Sequence, residues 1–302
     1  MKLKQLKLEF FYLRQAARVH HAGWRYLYNK FFLAKKIKKI NRPLEKPLTN
    51  QNLSIHILTC HRDTTATLWA LASFYHAATT IGQLFIHNDG SLTNADESIF
   101  KKFFPSAKLI NAATVTDTYK KQLRVQPTLL SIRQRYANFS LKKIIDPYIV
   151  SDKQIRLLID SDILWYRQPT SLEALINSGA PQSAMQLNNG ITDATFSDGI
   201  KLEPSLNKFN AGIILYNIAN FDTDKLAEFF NRLDTKNPRN LHFADQTGHP
   251  YCLQNLIALP SETYTIKQAV TPATVARHYT GPRRTLLYLE GIPRLANAIL
   301  KA

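Results

Sequence analysis

The chain has 302 residues, 45% of them hydrophobic, which is ample for the buried core of one large or two small α/β domains. Its two cysteines, Cys60 and Cys252, are too few for a disulfide framework and lack the paired C-x-x-C clusters of a structural zinc site. The net charge is +17, and residues 1–50 hold thirteen lysines and arginines against two acidic residues, a net +11. Most of the excess charge therefore belongs to the N-terminal segment, which weakens the case for a nucleic-acid-binding protein.

The first 40 residues are basic, aromatic and periodic in their apolar positions. Apolar side chains recur at steps of three and four residues, which predicts a helix over residues 3–40. The residues that carry this pattern are Leu3, Leu6, Phe10, Leu13 and Ala17. Helices of this composition lie in anionic membrane surfaces, so we expect peripheral membrane contact through residues 3–40. The alternative, a helix that packs on the rest of the chain and shows a solvated basic face, is nearly as well supported.

The opening residues also bear on localisation. They are charged throughout, without the apolar core and cleavage site of a secretory signal, and nowhere do about 18 apolar residues run uninterrupted. We therefore expect a cytoplasmic protein without a spanning helix, attached at most to the inner face of the membrane. Pro43 and Pro47 interrupt the helical pattern and mark a linker. The sequence thus divides into a basic helical segment with its linker, residues 1–50, and a larger domain, residues 51–302.

From residue 53 onward, strand patterns alternate with helical patterns. Strands are predicted at 53–60, 83–87, 108–110 and 155–159, and helices at 65–78, at about 94–104 and in segments up to about 149. Beyond residue 180, strands are predicted near 183–187 and 211–216, and helices near 222–233 and 244–257. The alternation predicts an α/β fold, a parallel sheet with helices on both faces. Ligands of such sheets bind beyond the carboxyl ends of the strands, which would place residues 59–63 and 160–162 on one rim.

An apolar strand runs directly into Asp160, Ser161 and Asp162. Two carboxylates separated by one residue at a strand end can reach one hard cation, Mg²⁺ or Mn²⁺, which would bridge the phosphates of a bound nucleotide. Such a cation neutralises charge on a departing diphosphate. The triplet by itself is weak, because aspartates are also common in turns, and the buried strand before it is what favours metal binding.

Two further segments carry polar residues where elements begin. Asn210 and Gly212 open a buried strand, and the glycine would let a ligand or another backbone approach closely. Asp245 and Gln246 stand at the start of a probable helix, where Asp245 alone is better explained as an N-cap. Taken singly, both segments have ordinary structural explanations.

A fourth segment, from His278 to Arg284, joins an imidazole that could bind metal, a flexible turn at Gly281, and cations suited to phosphate. Other basic residues precede the strand that ends in Asp160, and any of them could clamp phosphate, although a solvated helix face is favoured for each. They are Arg133, Arg135, Lys142 and Lys143. Arg62, just beyond the first strand, could also clamp phosphate, although a solvated position is again favoured.

Together and in this order, the four segments resemble the retaining glycosyltransferases of family eight, the group of glycogenin and the bacterial lipooligosaccharide galactosyltransferases. The matching strings are Asp160-Ser-Asp162, Asn210-Ala-Gly212, Asp245-Gln246 and His278-Tyr-Thr-Gly281-Pro-Arg-Arg284. The resemblance covers roughly residues 53–285. It implies the GT-A fold, a mixed sheet flanked by helices, with residues 51–302 as the catalytic domain.

The resemblance also implies roles for particular residues. The metal ligands would be Asp160, Asp162 and His278. The transferred sugar would face Asn210, Asp245 and Gln246, which are the expected catalytic residues. The donor would be bound by Thr59, Arg62, Ser161, Gly212, Gly281 and Arg284, with Thr59 beside the nucleobase and Arg284 at the diphosphate. The expected cofactors are Mn²⁺ or Mg²⁺ and a nucleotide-sugar, by family habit a UDP-sugar. The expected acceptor is a glycan or a lipid-linked hydroxyl, and no nucleic acid is expected.

The chain departs from the family at one of these positions and leaves the stereochemistry open. The family has a lysine where this chain has Arg284, which keeps the charge but changes its shape. If transfer retains configuration, no residue is an obvious nucleophile and the leaving phosphate could assist; if it inverts, Asp245 is a candidate base. The alternatives are a nucleotidyltransferase of related fold, a basic nucleic-acid-binding protein and a catalytically silent nucleotide-sugar binder. Against the first, residues 59–65 contain no glycine for a phosphate loop.

Overall fold

A computed structural model describes residues 3–111, 115, 127–135, 139–188 and 195–301. Arg135 falls at the edge of these ranges, and its side chain lies outside the described part. The strands are β1 Leu53–Thr59, β2 Gln83–Asn88, β3 Lys108–Asn111, β4 Ile155–Asp160, β5 Ile163–Trp165, β6 Ser183–Leu187, β7 Phe209–Asn217, β8 Leu256–Leu259, β9 Tyr264–Thr265 and β10 Ala276–His278.

The helices surround these strands in the sequence. The α-helices are α1 Leu3–Arg18, α2 Gly23–Tyr28, α3 Thr64–Ala77, α4 Asn94–Phe103, α5 Pro127–Arg135, α6 Phe139–Val150, α7 Thr170–Asn177, α8 Pro204–Asn207, α9 Thr223–Arg232, α10 Pro238–His242, α11 Ala244–Cys252, α12 Arg284–Leu286 and α13 Ile292–Lys301. Shorter turns are the π-helices Asn29–Leu33 and Leu287–Gly291 and the 3₁₀ helices Ala34–Lys39, His61–Asp63, Ile218–Asn220 and Gly281–Arg283.

The main sheet has the order β3-β2-β1-β4-β7-β6-β8. Strands β1 to β4 pair in parallel, whereas β7 runs antiparallel to both of its neighbours, β4 and β6. The α/β fold with a mixed sheet flanked by helices is therefore confirmed, and an all-parallel sheet is wrong. The cause is β7, which follows a long excursion from β6 and returns beside β4 in the opposite direction.

Strand β4 lies at the middle of this sheet and is buried on both faces. Leu157 and Ile159 are fully buried in one core cluster, and Leu158 lies in the cluster on the other face. A strand covered on both faces needs a continuous apolar sequence rather than an alternating one. Because Leu58 of β1 pairs with Asp160, the ends of these two parallel strands meet at one rim, as the sequence predicts.

A second, small sheet has the order β5-β10-β9. Strand β10 runs antiparallel to β5, and His278 pairs with Ile163. The amide of Tyr279 donates to the carbonyl of Asp162 at 2.9 Å. This pairing brings a C-terminal strand against the turn that carries the aspartates.

The N-terminal segment is helical, but its predicted continuity is wrong. Helix α1 ends at Arg18, and His21 has a left-handed backbone with φ of +48°. Gly23 then starts α2 against Ala17, where an added Cβ would lie 3.2 Å from the Ala17 Cβ. The chain breaks here because α2 folds back on α1, and a straight helix would forgo that packing. The helix predicted over 244–257 is also too long, since α11 ends at Cys252 and β8 begins at Leu256.

The N-terminal segment packs on the larger domain at two places. Tyr12, Ala16 and Tyr26 form a small cluster with Leu289. Further along, Ala34 is fully buried in the main core, and its carbonyl accepts a hydrogen bond of 2.9 Å from the indole of Trp69. Within the described ranges, no helix combines the length and the apolarity needed to cross a membrane.

A buried carboxylate fixes the loop between α3 and β2. Glu173 accepts hydrogen bonds from the amides of Thr79 and Thr80 at 2.6 and 2.9 Å, and from the side chain of Gln168 at 2.7 Å. Burial opposes the charge on Glu173, but these hydrogen bonds outweigh it and lower the pKa of the carboxyl. The glutamate thus stabilises the entry to β2 from a distance in sequence.

Candidate functional site

The two aspartates lie at the end of the central strand. Asp160 is the last residue of β4, and Ser161 and Asp162 form the turn into β5. Asp162 and Ser161 are buried, whereas the Asp160 side chain is 27% exposed. The apolar residues before them form the buried strand β4, so the first polar side chains after that strand lie together at the rim of the sheet.

His278 completes a cluster with both aspartates. Its Nε2 lies 3.1 Å from Oδ1 of Asp162 and 3.4 Å from Oδ2 of Asp160, and the three atoms are all within 4.8 Å of one another. Ligands about 2.1 Å from a small octahedral cation, and adjacent to one another, are separated by roughly 3 Å. The three side chains predicted as metal ligands are therefore brought together at a spacing that fits such a cation.

The orientation of His278 is fixed from behind by Asn210. The Oδ1 of Asn210 accepts a hydrogen bond from the amide of Gly212 at 2.8 Å, which identifies it as the oxygen of the amide. The Nδ1 of His278 lies 2.9 Å from that oxygen and must therefore donate to it. A histidine whose Nδ1 donates to an oxygen acceptor presents Nε2 as a ligand, the arrangement found behind metal-bound histidines.

The direction of the Nε2 of His278 decides whether a cation fits this cluster. When no proton occupies the Nε2 of His278, its lone pair faces two carboxylate oxygens at close range. These three electron-rich atoms repel one another unless a proton or a cation lies between them. The donor set of two carboxylates and one imidazole suits Mn²⁺ or Mg²⁺ by its chemistry.

Each aspartate divides its two oxygens between a cation of the protein and His278. Oδ1 of Asp160 accepts a hydrogen bond of 2.5 Å from Nζ of Lys143, while Oδ2 faces the imidazole. Oδ2 of Asp162 accepts from Nε of Arg284 at 3.0 Å, while Oδ1 faces the imidazole. Burial opposes the charge on Asp162, but Arg284 outweighs it, and the pKa of this carboxyl lies well below its ordinary value.

Lys143 lies at the candidate site, although the sequence analysis favoured a solvated helix face for it. Its side chain is buried, and Nζ donates to Asp160 and to the carbonyl of Ala211 at 2.6 Å, and lies 3.5 Å from Oδ2 of Asp245. Burial disfavours the ammonium, but Asp160 and Asp245 outweigh it and raise the pKa of Lys143. The lysine therefore holds two predicted site carboxylates at fixed positions. Arg133, by contrast, pairs with Asp146 at 2.7 Å.

Asp245 and Gln246 lie in the first turn of α11, on the same side of the site as Asn210. The Nδ2 of Asn210 donates to Oε1 of Gln246 at 3.4 Å. Oδ1 of Asp245 accepts from the amide of Gln246 at 2.9 Å, and Phe243 rather than Asp245 precedes the helix as its cap. Burial raises the pKa of Asp245 despite the nearby Lys143. The three residues expected to face a transferred sugar are thus grouped beside the predicted metal ligands.

Gly212 accommodates the histidine ring. An added Cβ would lie 2.7 Å from Cε1 of His278, nearer still to its Nδ1, and 2.9 Å from Oδ1 of Asn210. The close approach expected at this glycine is therefore made by His278. Gly281 has φ of +56° at the start of the turn that leads to Arg284, a conformation that glycine adopts without strain.

Arg284 reaches across the rim to the end of β1. Its NH1 and NH2 donate to the two oxygens of Asp63 at 2.9 and 3.0 Å, while its Nε holds Asp162. Arg62 also donates to Asp63, at 3.1 and 3.2 Å, with its side chain 40% exposed. Asp63 was not singled out from the sequence, because a lone acid next to an arginine gives no signal. Asp63 links the turn after β1 to the predicted metal ligand Asp162 through the guanidinium of Arg284.

Thr59 lies at the end of β1 with its side chain directed inward. The Thr67 hydroxyl donates to the carbonyl of Asp63 at 3.0 Å, so the hydroxyl of Thr59, 2.6 Å from that of Thr67, donates to it in turn. The Thr59 side chain is thus part of the join between β1 and α3. Its expected place beside a nucleobase stays a prediction.

Comparisons with known proteins found similar folds only. No protein-family model matches the chain, and no curated protein sequence matches it. The bifunctional glycosyltransferase WbbM is similar at 12% identity and a TM-score of 0.49, over 85% of this chain and 52% of WbbM, so the chain spans about half of that protein. The galactosyltransferase LgtC, solved with donor and acceptor sugar analogues, is similar at 12% identity and a TM-score of 0.49, over 81% of this chain and 95% of LgtC.

A third similar structure is mouse xyloside xylosyltransferase 1, at 11% identity and a TM-score of 0.44, over 83% of this chain and 94% of that one. All three are glycosyltransferases by name. Because one fold hosts many activities, likeness at this level decides neither substrate nor reaction. The chain is similar in its fold to GT-A glycosyltransferases.

Proposed function

We propose that this chain is a glycosyltransferase that uses Mn²⁺ or Mg²⁺ and transfers a hexose from a nucleotide-diphosphate-sugar, a UDP-sugar, to a hydroxyl acceptor. The observation that carries the proposal is the cluster of Asp160, Asp162 and His278 at the carboxyl end of β4, with Arg284 bonded to one of its carboxylates. Ligands of α/β sheets bind at this end of the strands, and a cation with an arginine beside it suits a diphosphate.

On the donor side, the residues of this chain bind and orient the leaving group. Asp160, Asp162 and His278 would hold the cation, which when bound offsets the negative charge of the departing diphosphate. Arg284 adds a guanidinium that is held next to Asp162, and it would stabilise the negative charge that develops on the diphosphate. The turn that begins at Gly281 carries Arg284 to this position.

On the sugar side, Asn210, Asp245 and Gln246 would position the transferred hexose. Lys143 lies between Asp160 and Asp245 and binds both, which offsets the repulsion between the two carboxylates and fixes their positions. We propose transfer with retention, which the motif resemblance supports. The product anomer, read by NMR with a defined acceptor, tests this point, and an inverted product would make Asp245 the candidate general base.

The proposal is tested by Asp162→Ala and Asp160→Ala, with the exposed Asp198→Ala as a matched control. The assay is release of UDP from a panel of UDP-sugars with and without Mn²⁺, beside a thermal-unfolding scan of each nucleotide-sugar with the protein. We expect both site variants to lose metal-dependent turnover while remaining folded, and the control to keep it. His278→Ala should lose less, since both carboxylates remain. Full turnover in a folded Asp162→Ala protein would contradict the proposal.

We further propose that the N-terminal segment contacts an anionic membrane, and that the acceptor is lipid-linked. Phe10, Trp24 and Phe32 are 67%, 83% and 64% exposed, a large cost unless another surface covers them. An apolar groove of about 510 Å³ runs between α1 and the residues that follow it, lined among others by Phe10 and Leu13. Lys36 and Lys39 add exposed positive charge, each worth about 1 kcal/mol near an anionic surface.

The membrane proposal is tested by substitution, because a cut near Gln51 would uncover the core contacts of Ala34. The triple variant Phe10→Ser, Trp24→Ser, Phe32→Ser is compared with the unaltered chain in sedimentation with phosphatidylglycerol vesicles at low and high salt. We expect the unaltered chain to pellet, less so at high salt because of screening within about 10 Å at 0.1 M, and the variant to stay in the supernatant. Equal sedimentation of both proteins would contradict membrane contact through these side chains.

A further inference from the structure

A second cavity lies away from the metal ligands. Its volume is about 670 Å³, and it is lined by residues from both ends of the chain, including Arg25 from α2 and Arg294 from α13. Lys267 and Arg277 also line it, and Glu290 is the one carboxylate among the described residues of its wall. Three arginines and one lysine against one carboxylate give the described lining a formal net charge of +3.

The single acid offsets only one of these cations, Arg277. Glu290 pairs with NH1 of Arg277 and accepts a hydrogen bond of 3.1 Å from the amide of Val270. Its nearest approach to Arg294 is 3.9 Å, from a side chain that is 54% exposed. Arg25 is exposed as well. The excess positive charge is therefore contributed by side chains that face the cavity from two separate parts of the chain.

The buried member of the set, Arg277, indicates that the charge is built into the fold. It is only 2% exposed, its guanidinium lies 5.0 Å from the centre of the Tyr279 ring, and its Nε has no hydrogen-bond partner among the described residues. Arginine is rarely buried without full pairing, since desolvation of the charge is costly. Arg277 precedes His278 on β10, so the two side chains leave the strand on opposite faces, and the cavity is separate from the metal ligands.

We propose that this cavity, defined by Arg25, Lys267, Arg277 and Arg294, binds the phosphoryl group of an organic phosphate. Guanidinium groups form paired hydrogen bonds with phosphate oxygens, and three arginines line this cavity. Leu286 and Leu289 supply an apolar wall, and the volume lies within the range of small-molecule sites, so an ester fits better than a bare ion. The phosphate belongs either to a lipid headgroup or to a soluble phosphate ester. This site goes beyond the glycosyl-transfer centre and does not depend on it.

The test removes two exposed cations of the pocket and compares them with two exposed cations outside it. Arg25→Gln/Arg294→Gln is the pocket variant, and Lys101→Gln/Lys102→Gln carries the same loss of charge on α4, outside the pocket lining. Lys267→Gln is a second pocket variant should the first fail to fold. The probes are inorganic phosphate and glycerol 3-phosphate in calorimetric titrations, and phosphatidylglycerol vesicles against phosphatidylcholine vesicles in sedimentation.

We expect glycerol 3-phosphate to bind the unaltered chain saturably and more tightly than inorganic phosphate. The pocket variant should weaken that binding about tenfold or more, since charge-assisted hydrogen bonds are lost, and the control should change it little. Vesicle binding that falls more in the pocket variant than in the control identifies a lipid headgroup, and equal vesicle binding identifies a soluble ester. Absence of saturable binding to both soluble probes, or equal weakening in both variants, overturns the proposal. UDP release should be unchanged in the pocket variant, so this outcome is independent of the proposed activity.

Discussion

Gly212→Ala is the smallest change that should disable the metal site without touching a ligand. The added methyl would lie 2.7 Å from Cε1 of His278, whereas carbon atoms in contact are separated by about 3.5 Å. The imidazole must therefore retreat by about 0.8 Å or rotate away from β7. It cannot retreat freely, because its Nδ1 is held by Asn210 and the methyl would also crowd that oxygen at 2.9 Å.

The size of the expected loss in Mn²⁺ affinity follows from how small a displacement of a ligand a metal site tolerates. Distances in protein metal sites hold to about 0.2 Å, so a displacement of 0.8 Å removes His278 as a ligand or breaks its bond to Asn210. Losing an orienting contact behind a ligand weakens metal binding by about 10- to 100-fold. We therefore expect Gly212→Ala to weaken Mn²⁺ binding by that factor, close to the loss in His278→Ala.

The assay is Mn²⁺ titration followed by electron paramagnetic resonance, which needs no substrate and no turnover. The control is the double variant Gly212→Ala/His278→Ala: without the ring, the methyl has room, so the two losses should not add. Additive losses would mean that the glycine acts through another contact. Unchanged Mn²⁺ binding in a folded Gly212→Ala protein would refute the assignment of His278 as a ligand.

Three other changes have expected outcomes. Arg284→Ala should raise the KM for donor and lower kcat, by about 10- to 100-fold in kcat/KM, in steady-state titration with a UDP-sugar, and unchanged kinetics would place Arg284 outside the donor site. Lys143→Met should destabilise the fold by about 3 kcal/mol in urea unfolding, because Asp160 and Asp245 lose their shared cation, and a smaller loss would mean that they are well solvated. Glu173→Gln should lower the free energy of unfolding at neutral pH. The contribution of the Glu173 carboxylate is present above its unfolded pKa of about 4.3 and is lost as the pH falls through its lower folded pKa. The urea midpoints of the two proteins should therefore converge at low pH, and a constant difference between them across the pH range would contradict this.

The arrangement of the rim was predictable because it follows from sheet geometry. A buried strand ending in Asp160 had to present its next polar residues at the edge, and β1 had to end beside it. The approach of His278 to Asp162 depends on pairing between β10 and β5, which are more than a hundred residues apart, and only the motif resemblance indicated it. Periodicity carries no information on pairings of that range.

Lys143 shows why other site residues were missed. It lies on α6 directly before two buried isoleucines, Ile144 and Ile145, so the sequence pattern does not distinguish it from its half-buried neighbour Lys142. Its burial makes sense only when Asp160 and Asp245, from two other elements, are placed around it. The break in the N-terminal helix at His21 was not predicted for the same kind of reason. It depends on the packing of α2 against α1 rather than on local helix propensity.

The guanidinium at position 284 binds two carboxylates that come from separate parts of the chain. A guanidinium has five N–H donors, and here Nε serves Asp162 while one donor each from NH1 and NH2 serves Asp63. Two donors remain, so Arg284 can hold both carboxylates and still bind a phosphate oxygen. An ammonium has three donors on one nitrogen and cannot span two carboxylates and a phosphate in a plane. The guanidinium of Arg284 therefore ties the turn after β1, through Asp63, to the predicted metal ligands.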